Sequence, residues 1–468
     1  MPVKRYEKTP MPQREGQLRA TDFFEVNEGF TFAHARFESE RCLRCQEADC
    51  VDGCPVHIPI PDFIHAIAAN DLPGAAHILR SANPLPAICG WVCPQEDQCE
   101  KYCHMAKKFR PVAIGHLERF VSDWERLEST PAATDGLKRS ERVAVIGSGP
   151  AGLVCAGELA RLGYSVTIYE GLHVPGGVLR YGIPEFRLPK EILDWEIDLL
   201  KQNGVEIVCN VIVGKTIQLD DLFDSMGFSA VFIGTGAGLP QFLGIPGEDY
   251  NCVYSANEFL TRINLMQAYQ FPDSSTPLHV GKRVAVIGAG NTAMDAVRSS
   301  LRMGAKEGWI VYRRSETEMT AREEEYHHAL EEGVEFNWLT NPVGILGNEE
   351  GWVTGLKCVQ MELGAPDDSG RARPIPIEGS EFVLPVDNVV LAIGNSPNPL
   401  LVKTTSRLET NEKGCLEVEG AKTSRRRVYA GGDAVTGAAT VILAAGAGKD
   451  AAEAIHRDLS EEVVGVVG

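Results

Sequence analysis

Apolar residues recur every three or four positions in two stretches of the first third of the chain. Ile60, Phe63, Ile64, Ile67 and Ala68 predict a helix from Ile60 to about Arg80, and Ile114, Leu117, Phe120, Val121 and Trp124 a second over Pro111–Leu127. Residues 1–40 are polar and charged without a period, as expected of an arm that wraps another part of the molecule. After a turn-rich linker at Pro131–Gly136 the pattern changes to short, wholly apolar runs, each followed by glycines and a small-residue helix. The letters Arg-Val-Ala-Val-Ile-Gly occur twice, at Arg142–Gly147 and Arg283–Gly288, and predict two buried parallel strands in two duplicated nucleotide-binding domains. A last short strand, Val428–Asp433, leads into a small-residue helix from Thr440 to His456. A doubly wound sheet needs several parallel strands, so this piece is expected to return to the first domain. The expected division is a helical domain over 1–137, a first dinucleotide domain over 138–264, a second inserted over 265–385, and the end of the first over 386–468.

Length agrees with several domains, because 468 residues exceed one ordinary core. A net charge of −19 argues against nucleic acid, whose phosphates need a basic field. Met1-Pro2-Val3-Lys4-Arg5 has no apolar run after it, so no signal peptide is expected, and no stretch is long enough to span a membrane. The cytoplasm is the expected compartment.

Cysteine spacing changes the picture most. Eight of thirteen cysteines lie in Cys42-x2-Cys45-x4-Cys50-x3-Cys54-Pro55 and Cys89-x3-Cys93-Pro94-x4-Cys99-x3-Cys103. Short-spaced thiolates with a Cys-Pro that crosses to a neighbour are the pattern of paired iron–sulfur clusters. Zinc wants two close pairs per ion, which the longer spacings do not give, and disulfides belong to secreted chains. Cys155, Cys209, Cys252, Cys358 and Cys415 are scattered and read as small core residues. His327-His328 follows three glutamates and reads as a solvated helix face.

Gly147-x-Gly149-x-x-Gly152 sits between a strand and a helix, with Glu170 at the end of the next strand. The glycines fit a tight turn, a close approach to pyrophosphate and helix packing, and the acid fits a ribose. Gly288-x-Gly290-Asn291-x-Ala293 repeats the fingerprint, but its next strand ends in Arg313-Arg314. Arginines there can fork onto a 2′-phosphate, which favours NADPH; solvated loop charges are the plainer alternative, and Arg322 is a third candidate. Gly177 and Arg180, in Gly176–Pro184, belong to a segment fit to lie against a flat ring or to be an irregular loop. Gly432 and Asp433 place a carboxylate for a flavin's ribityl hydroxyls, and the helix opening near Thr440 points its dipole at the flavin's pyrimidine end. There is no Gly-x-Ser-x-Gly nucleophile elbow, and no redox Cys-x-x-Cys near the flavin segment.

From about Cys42 to the Thr440 helix the chain resembles the glutamate synthase small (beta) subunit family. That family includes the flavin subunit of NADH-dependent ferredoxin:NADP oxidoreductase and the amino-terminal half of dihydropyrimidine dehydrogenase. The resemblance implies an α-helical ferredoxin-like domain with two [4Fe-4S] clusters, followed by an adrenodoxin-reductase-like α/β pair for FAD and NADPH. It implies Cys42, Cys45, Cys50 and Cys103 for one cluster and Cys54, Cys93 and Cys99 for the other. For the last ligand it points to Glu118, in the helix Ile114–Phe120, with Cys89 as competitor. Position 2 is Pro2 rather than a cysteine nucleophile, and no third large module remains, so the chain alone is not expected to make glutamate. It implies electron passage between NADP(H) and a second redox subunit in a hetero-oligomer. That subunit is either an FMN-containing glutamate synthase large subunit or a ferredoxin-reductase-like one. A cluster-bearing docking scaffold with little turnover is the non-enzyme alternative.

Overall fold

The computed structural model describes residues 6–128, 138–367 and 370–466, so the Pro131–Gly136 linker lies outside the described residues. Asn70 takes a left-handed φ of 62°, and the Asp71 side chain accepts from Gly74 N at 2.9 Å. The single helix expected from Ile60 to Arg80 is therefore two, Ile60–Ala68 and Leu72–Ala82, because an aspartate cap followed by Pro73 starts a new helix. The next predicted helix runs Ile114–Glu128, and its buried Ile114, Leu117 and Val121 close one core with Phe63, Ile64, Ile67 and Ile88. This core continues without a break into the first dinucleotide domain. Lys449, on the last helix, donates to Val56 O and Ala82 O, both at 2.9 Å, and Glu196 accepts from Ala87 N at 2.9 Å.

The strand Arg142–Ile146 lies between Ser165–Tyr169 and Ala230–Ile233, all parallel, and Val428–Ala430 adds in parallel beyond Ala230–Ile233. The late segment thus returns to the first sheet, which has seven strands among the described residues. The helix after it, Val441–Val466, runs ten residues past the expected His456, with Ala451, Ala452, Ile455 and Leu459 still buried.

The second sheet, unlike the first with its antiparallel edge at Val418–Glu419 and Lys422–Thr423, is parallel throughout, in the order Val253–Ser255, Asn388–Leu391, Arg283–Ile287, Glu307–Val311, Glu335–Asn337. Its first two strands lie outside the expected limits 265–385. A wound sheet needs neighbours on both sides of its central strand, and on one side of Arg283–Ile287 both strands are supplied from the flanks. Leu239–Pro240 pairs antiparallel with Asn395–Ser396 where the chain crosses between the domains.

The amino-terminal arm does wrap the molecule. Val26 N donates to Phe186 O at 3.1 Å, Phe23 stacks on Tyr269 at 4.4 Å, and Asn27 donates to Glu324 at 3.1 Å. Arg19, 1 % exposed, donates to Glu332 at 3.0 Å and to Glu331 at 2.7 Å. With the arm over it, helix Glu323–Glu331 buries Glu325, His328 and Ala329. His328 is therefore not the solvated residue expected, although His327 is exposed: burial pushes the His328 imidazole down to about 4.

Candidate flavin cleft and cluster sites

Arg41 is fully buried and holds two loops together. It pairs with Glu38 and donates to Pro111 O at 3.0 Å and Arg110 O at 2.7 Å. Arg44, at φ 53°, then turns the chain between the first two cysteines. The result is a small cavity lined by Cys42, Cys45, Cys50 and Cys103 together with Leu43, Tyr102 and His104. Burial, and then Cys103, Cys42 and Cys45 nearby, push the Cys50 thiol up to about 12.

A second group lies deeper. Burial raises Cys54 to about 11, with Glu118 and Cys89 adding to the shift; Cys99 is raised by burial, then by Glu100, Cys54 and Glu118. Cys93 is raised by its hydrogen bond with Cys89 and then by burial. Glu118, 5 % exposed, is held well above the usual carboxylate range by burial, and its Oε1 has no hydrogen-bond partner among the described residues. Cys89 Sγ accepts from Asn83 Nδ2 at 3.1 Å.

All thirteen cysteines are free. Among the described residues no three His, Cys, Asp or Glu side chains are placed to hold a single metal ion. Thiols spread around a space suit a four-iron core, whose ligands each take a different iron. Two groups of clustered thiols, the second of them buried, fit cores that supply positive charge, since metal-bound thiols are deprotonated.

The first fingerprint opens a cleft of about 610 Å³. Gly147 has φ 96°, and a Cβ there would lie 2.5 Å from Gly234 O. A Cβ on Gly152 would meet Gly147 O at 2.0 Å, whereas one on Gly149 would meet nothing and face the cleft. Glu170 accepts from Ser148 N at 2.9 Å, Leu172 N at 2.8 Å and the Ser148 hydroxyl. Gly177 and Tyr181 line the cleft, but Arg180 does not: it binds Pro175 O at 3.1 Å and pairs with Asp194. Asp433 and Thr440 line the far end, where burial raises Asp433 to about 6 and Ala439 N donates to it at 3.2 Å. Gly432 itself turns away at φ 67°, against Ala151.

The second fingerprint reaches the same cleft through Asn291 and Thr292, not through its glycines. Gly288 turns at φ 127°, with no room for a Cβ beside Ala392 O at 2.3 Å; Gly290 lies near Thr320. Asn291, Thr292 and Asp295, from the start of helix Asn291–Arg302, line the cleft opposite the first domain. The three arginines part company. Arg313 is exposed and has no partner among the described residues. Arg314 is buried, donating to Ala372 O at 2.8 Å and Asp367 at 2.5 Å, because the hairpin Val353–Pro366/Ala372–Pro376 folds onto it. Arg322 is buried against Gln95 at 3.0 Å, Glu96 at 3.1 Å and Glu324 at 3.0 Å, and so ties the second domain to the helical one.

Val92 and Pro94, on either side of Cys93, also line the cleft, as do Asn257 and Thr261. Cys93-Pro94 was visible as a cluster motif. Its place against the cleft depends on the helical domain packing over the first sheet, which no local pattern encodes.

Residues 19–130 match the family model of dihydropyrimidine dehydrogenase domain II, 4Fe-4S cluster, and residues 141–449 that of pyridine nucleotide-disulphide oxidoreductase. The chain is 37% identical over 453 residues to the glutamate synthase [NADPH] small chain of Escherichia coli (strain K12), covering 95% of each. It is 40% identical over 444 residues to the NADP(+)-dependent formate dehydrogenase subunit beta of Moorella thermoacetica, covering 88% of this chain and 60% of that one. Among solved structures, Mycobacterium tuberculosis FprA in complex with NADPH shares the fold at a TM-score of 0.59 and 21% identity, over 70% of this chain and 86% of that one. FAD, NADPH and [4Fe-4S] clusters are the cofactors of this arrangement. The chain belongs to the glutamate synthase small-chain family, and is an NADPH-dependent FAD and iron–sulfur oxidoreductase.

Proposed function

We propose that this chain passes electrons between NADPH in the second domain and a partner subunit, by way of FAD in the 610 Å³ cleft and then the two cysteine groups. FAD supplies hydride acceptance and one-electron donation when bound, and the clusters carry single electrons. Gly147, Gly149 and Gly152 cradle its pyrophosphate, and Glu170 takes its ribose. Asp433 and the helix start at Thr440 receive the ring's polar edge. Gly288, Gly290 and Asn291 seat the pyrophosphate of NADPH. Cys42, Cys45, Cys50 and Cys103 hold the first cluster; Cys54, Cys93, Cys99 and Glu118 hold the second. One observation carries the reading: Val92 and Pro94 flank Cys93 on one wall of the cleft while Asn291, Thr292 and Asp295 line another. Nucleotide, ring and second cluster therefore meet in one space.

The partner we favour is an FMN-containing large subunit of the glutamate synthase kind. A ferredoxin-reductase-like subunit is the second reading, favoured by the likeness to a formate dehydrogenase beta subunit. No described helix is long and apolar enough to cross a membrane, and cysteines kept out of disulfides suit the cytoplasm. NADPH should bleach the flavin absorbance of the holoprotein without oxygen. A folded Cys45→Ser variant should still bleach but pass few electrons to a one-electron protein acceptor. A wild type that binds FAD and does not bleach with NADPH would sink the reading.

Nucleotide choice falls to Arg313. Losing one charge-assisted contact costs about 1.5–3 kcal/mol, so Arg313→Ala should weaken NADPH binding at least about tenfold and leave NADH nearly unchanged. Arg314→Ala should instead loosen the hairpin that carries Asp367 and Ala372. Equal losses for both nucleotides in Arg313→Ala would remove it from the 2′-phosphate site.

A further inference from the structure

Five exposed cations stand around the first thiol group: Arg44, Lys101, Lys107, Lys108 and Arg110. None has an ion-pair partner among the described residues. The chain carries a net charge of −19, yet residues 101–110 contain no carboxylate. Of the nearby acids, Asp49 is taken by His104 at 2.9 Å, Glu100 by Lys8 at 2.6 Å and Glu40 by Arg36 at 3.8 Å, while Glu7 beside Tyr6 and Glu47 and Asp52 on the adjoining turn are exposed. The same two segments also expose large apolar side chains. Leu43 (60 % exposed) and Tyr102 (49 %) cover the four-cysteine cavity, and exposed Phe109 packs on exposed Tyr6 at 4.6 Å between ring centroids. Buried Arg41 ties this surface's two loops together, so it is preformed. Large apolar side chains among charges, on a fixed frame, have the anatomy of an interface.

We propose that this face docks an acidic surface of a protein carrying a one-electron centre, seated over Cys42, Cys45, Cys50 and Cys103. The proposal rests on reading those four cysteines as a cluster site, and adds the charge of the partner that meets it. The rest of the chain is more negative than the net figure, so its overall charge opposes such a partner away from this face. The basic face therefore orients the encounter as well as attracting it. A second copy of this chain, equally acidic, is disfavoured by the same field.

The test uses the holoprotein and an acidic plant-type [2Fe-2S] ferredoxin as probe, both oxidised, with binding read without turnover. The double variant Lys107→Glu/Lys108→Glu should weaken binding at least tenfold at low salt, and the difference should shrink at high salt. A matched change elsewhere, Lys403→Glu/Lys413→Glu, should weaken it by less than twofold. Basic cytochrome c should show the reverse order, binding the Lys107/Lys108 variant more tightly than the wild type. NADPH should bleach the flavin equally in wild type and both variants; loss of bleaching in the wild type would strike the flavin reading and not the docking face. Unchanged ferredoxin binding in the Lys107/Lys108 variant, equal losses in both double variants, or self-association through this face would overturn the proposal.

Discussion

Glu332→Ala should destabilise the protein by about 3–5 kcal/mol, the range for leaving a buried ion group without its counter-charge. The Glu332 carboxylate accepts from Arg298 at 2.9 and 2.8 Å, Arg302 at 2.7 and 3.0 Å, and Arg19 at 3.0 Å, and all four side chains are within 1 % of full burial. Removing it strands the Arg302 guanidinium and takes one of two carboxylates from Arg298 and from Arg19, which keep Glu325 and Glu331. The same network continues through Glu325 to Arg187, which grips Asp295 with two contacts of 2.8 Å, while Arg302 lies over the Phe186 ring at 3.8 Å. Arm, first domain and second domain are thus joined by one set of charges. Loosening it should raise hydrogen exchange in helix Glu323–Glu331 and in the arm together. Glu331→Ala is the control: its side chain is 53% exposed, and a pair of that kind is worth at most about 1 kcal/mol.

The pH dependence follows. Burial opposes ionisation of Glu332, but the arginines win and hold it well below its ordinary 4.5. Its contribution is therefore whole above about pH 4.5 and is lost as pH falls from there through the folded value. Asp295 works the other way. Burial raises it to about 6 despite Arg187, so its share of stability falls as pH rises from about 4 to 6. Acid denaturation of the wild type should be steeper than that of Glu332→Ala; parallel curves would mean the carboxylate is not the group that titrates.

What the sequence carried and what it withheld divide along physical lines. Each dinucleotide fingerprint is local, because a tight turn at Gly147 or Gly288 needs glycine whatever surrounds it. Period and apolar runs likewise placed the strands Arg142–Ile146 and Arg283–Ile287. Charge was harder to read. Arg314, Arg322 and His328 look like surface residues in a one-dimensional pattern, and each is buried by an element far away in the chain: a hairpin, the helical domain, the arm. The limits of the inserted domain failed for a related reason. Val253–Ser255 and Asn388–Leu391 are short, and only their pairing shows which sheet claims them.

The cluster ligand is where local and distant information must agree. Glu118→Ala, made in the holoprotein, should lose or alter the second cluster and leave the first cluster's signal intact. The helix period puts Glu118 on the face that also buries Leu117 and Val121, and packing then brings its carboxyl among Cys54, Cys93 and Cys99. Cys89 is a neighbour of the same carboxyl, and Oε1 has no partner among the described residues, an arrangement that costs about 1–3 kcal/mol unless something binds the group. Cys89 differs, since Asn83 already donates to its sulfur at 3.1 Å. That bond suits a thiol kept in the wall beside the cluster. A carboxylate is a harder donor than a thiolate, so the cluster it serves should have a distinct potential and paramagnetic signature. Glu118→Gln keeps the shape and one oxygen, so it should retain iron while shifting that potential. Cys89→Ala should keep the iron count. Should Glu118→Ala hold its full iron with an unchanged spectrum while Cys89→Ala loses a cluster, the ligand is the cysteine.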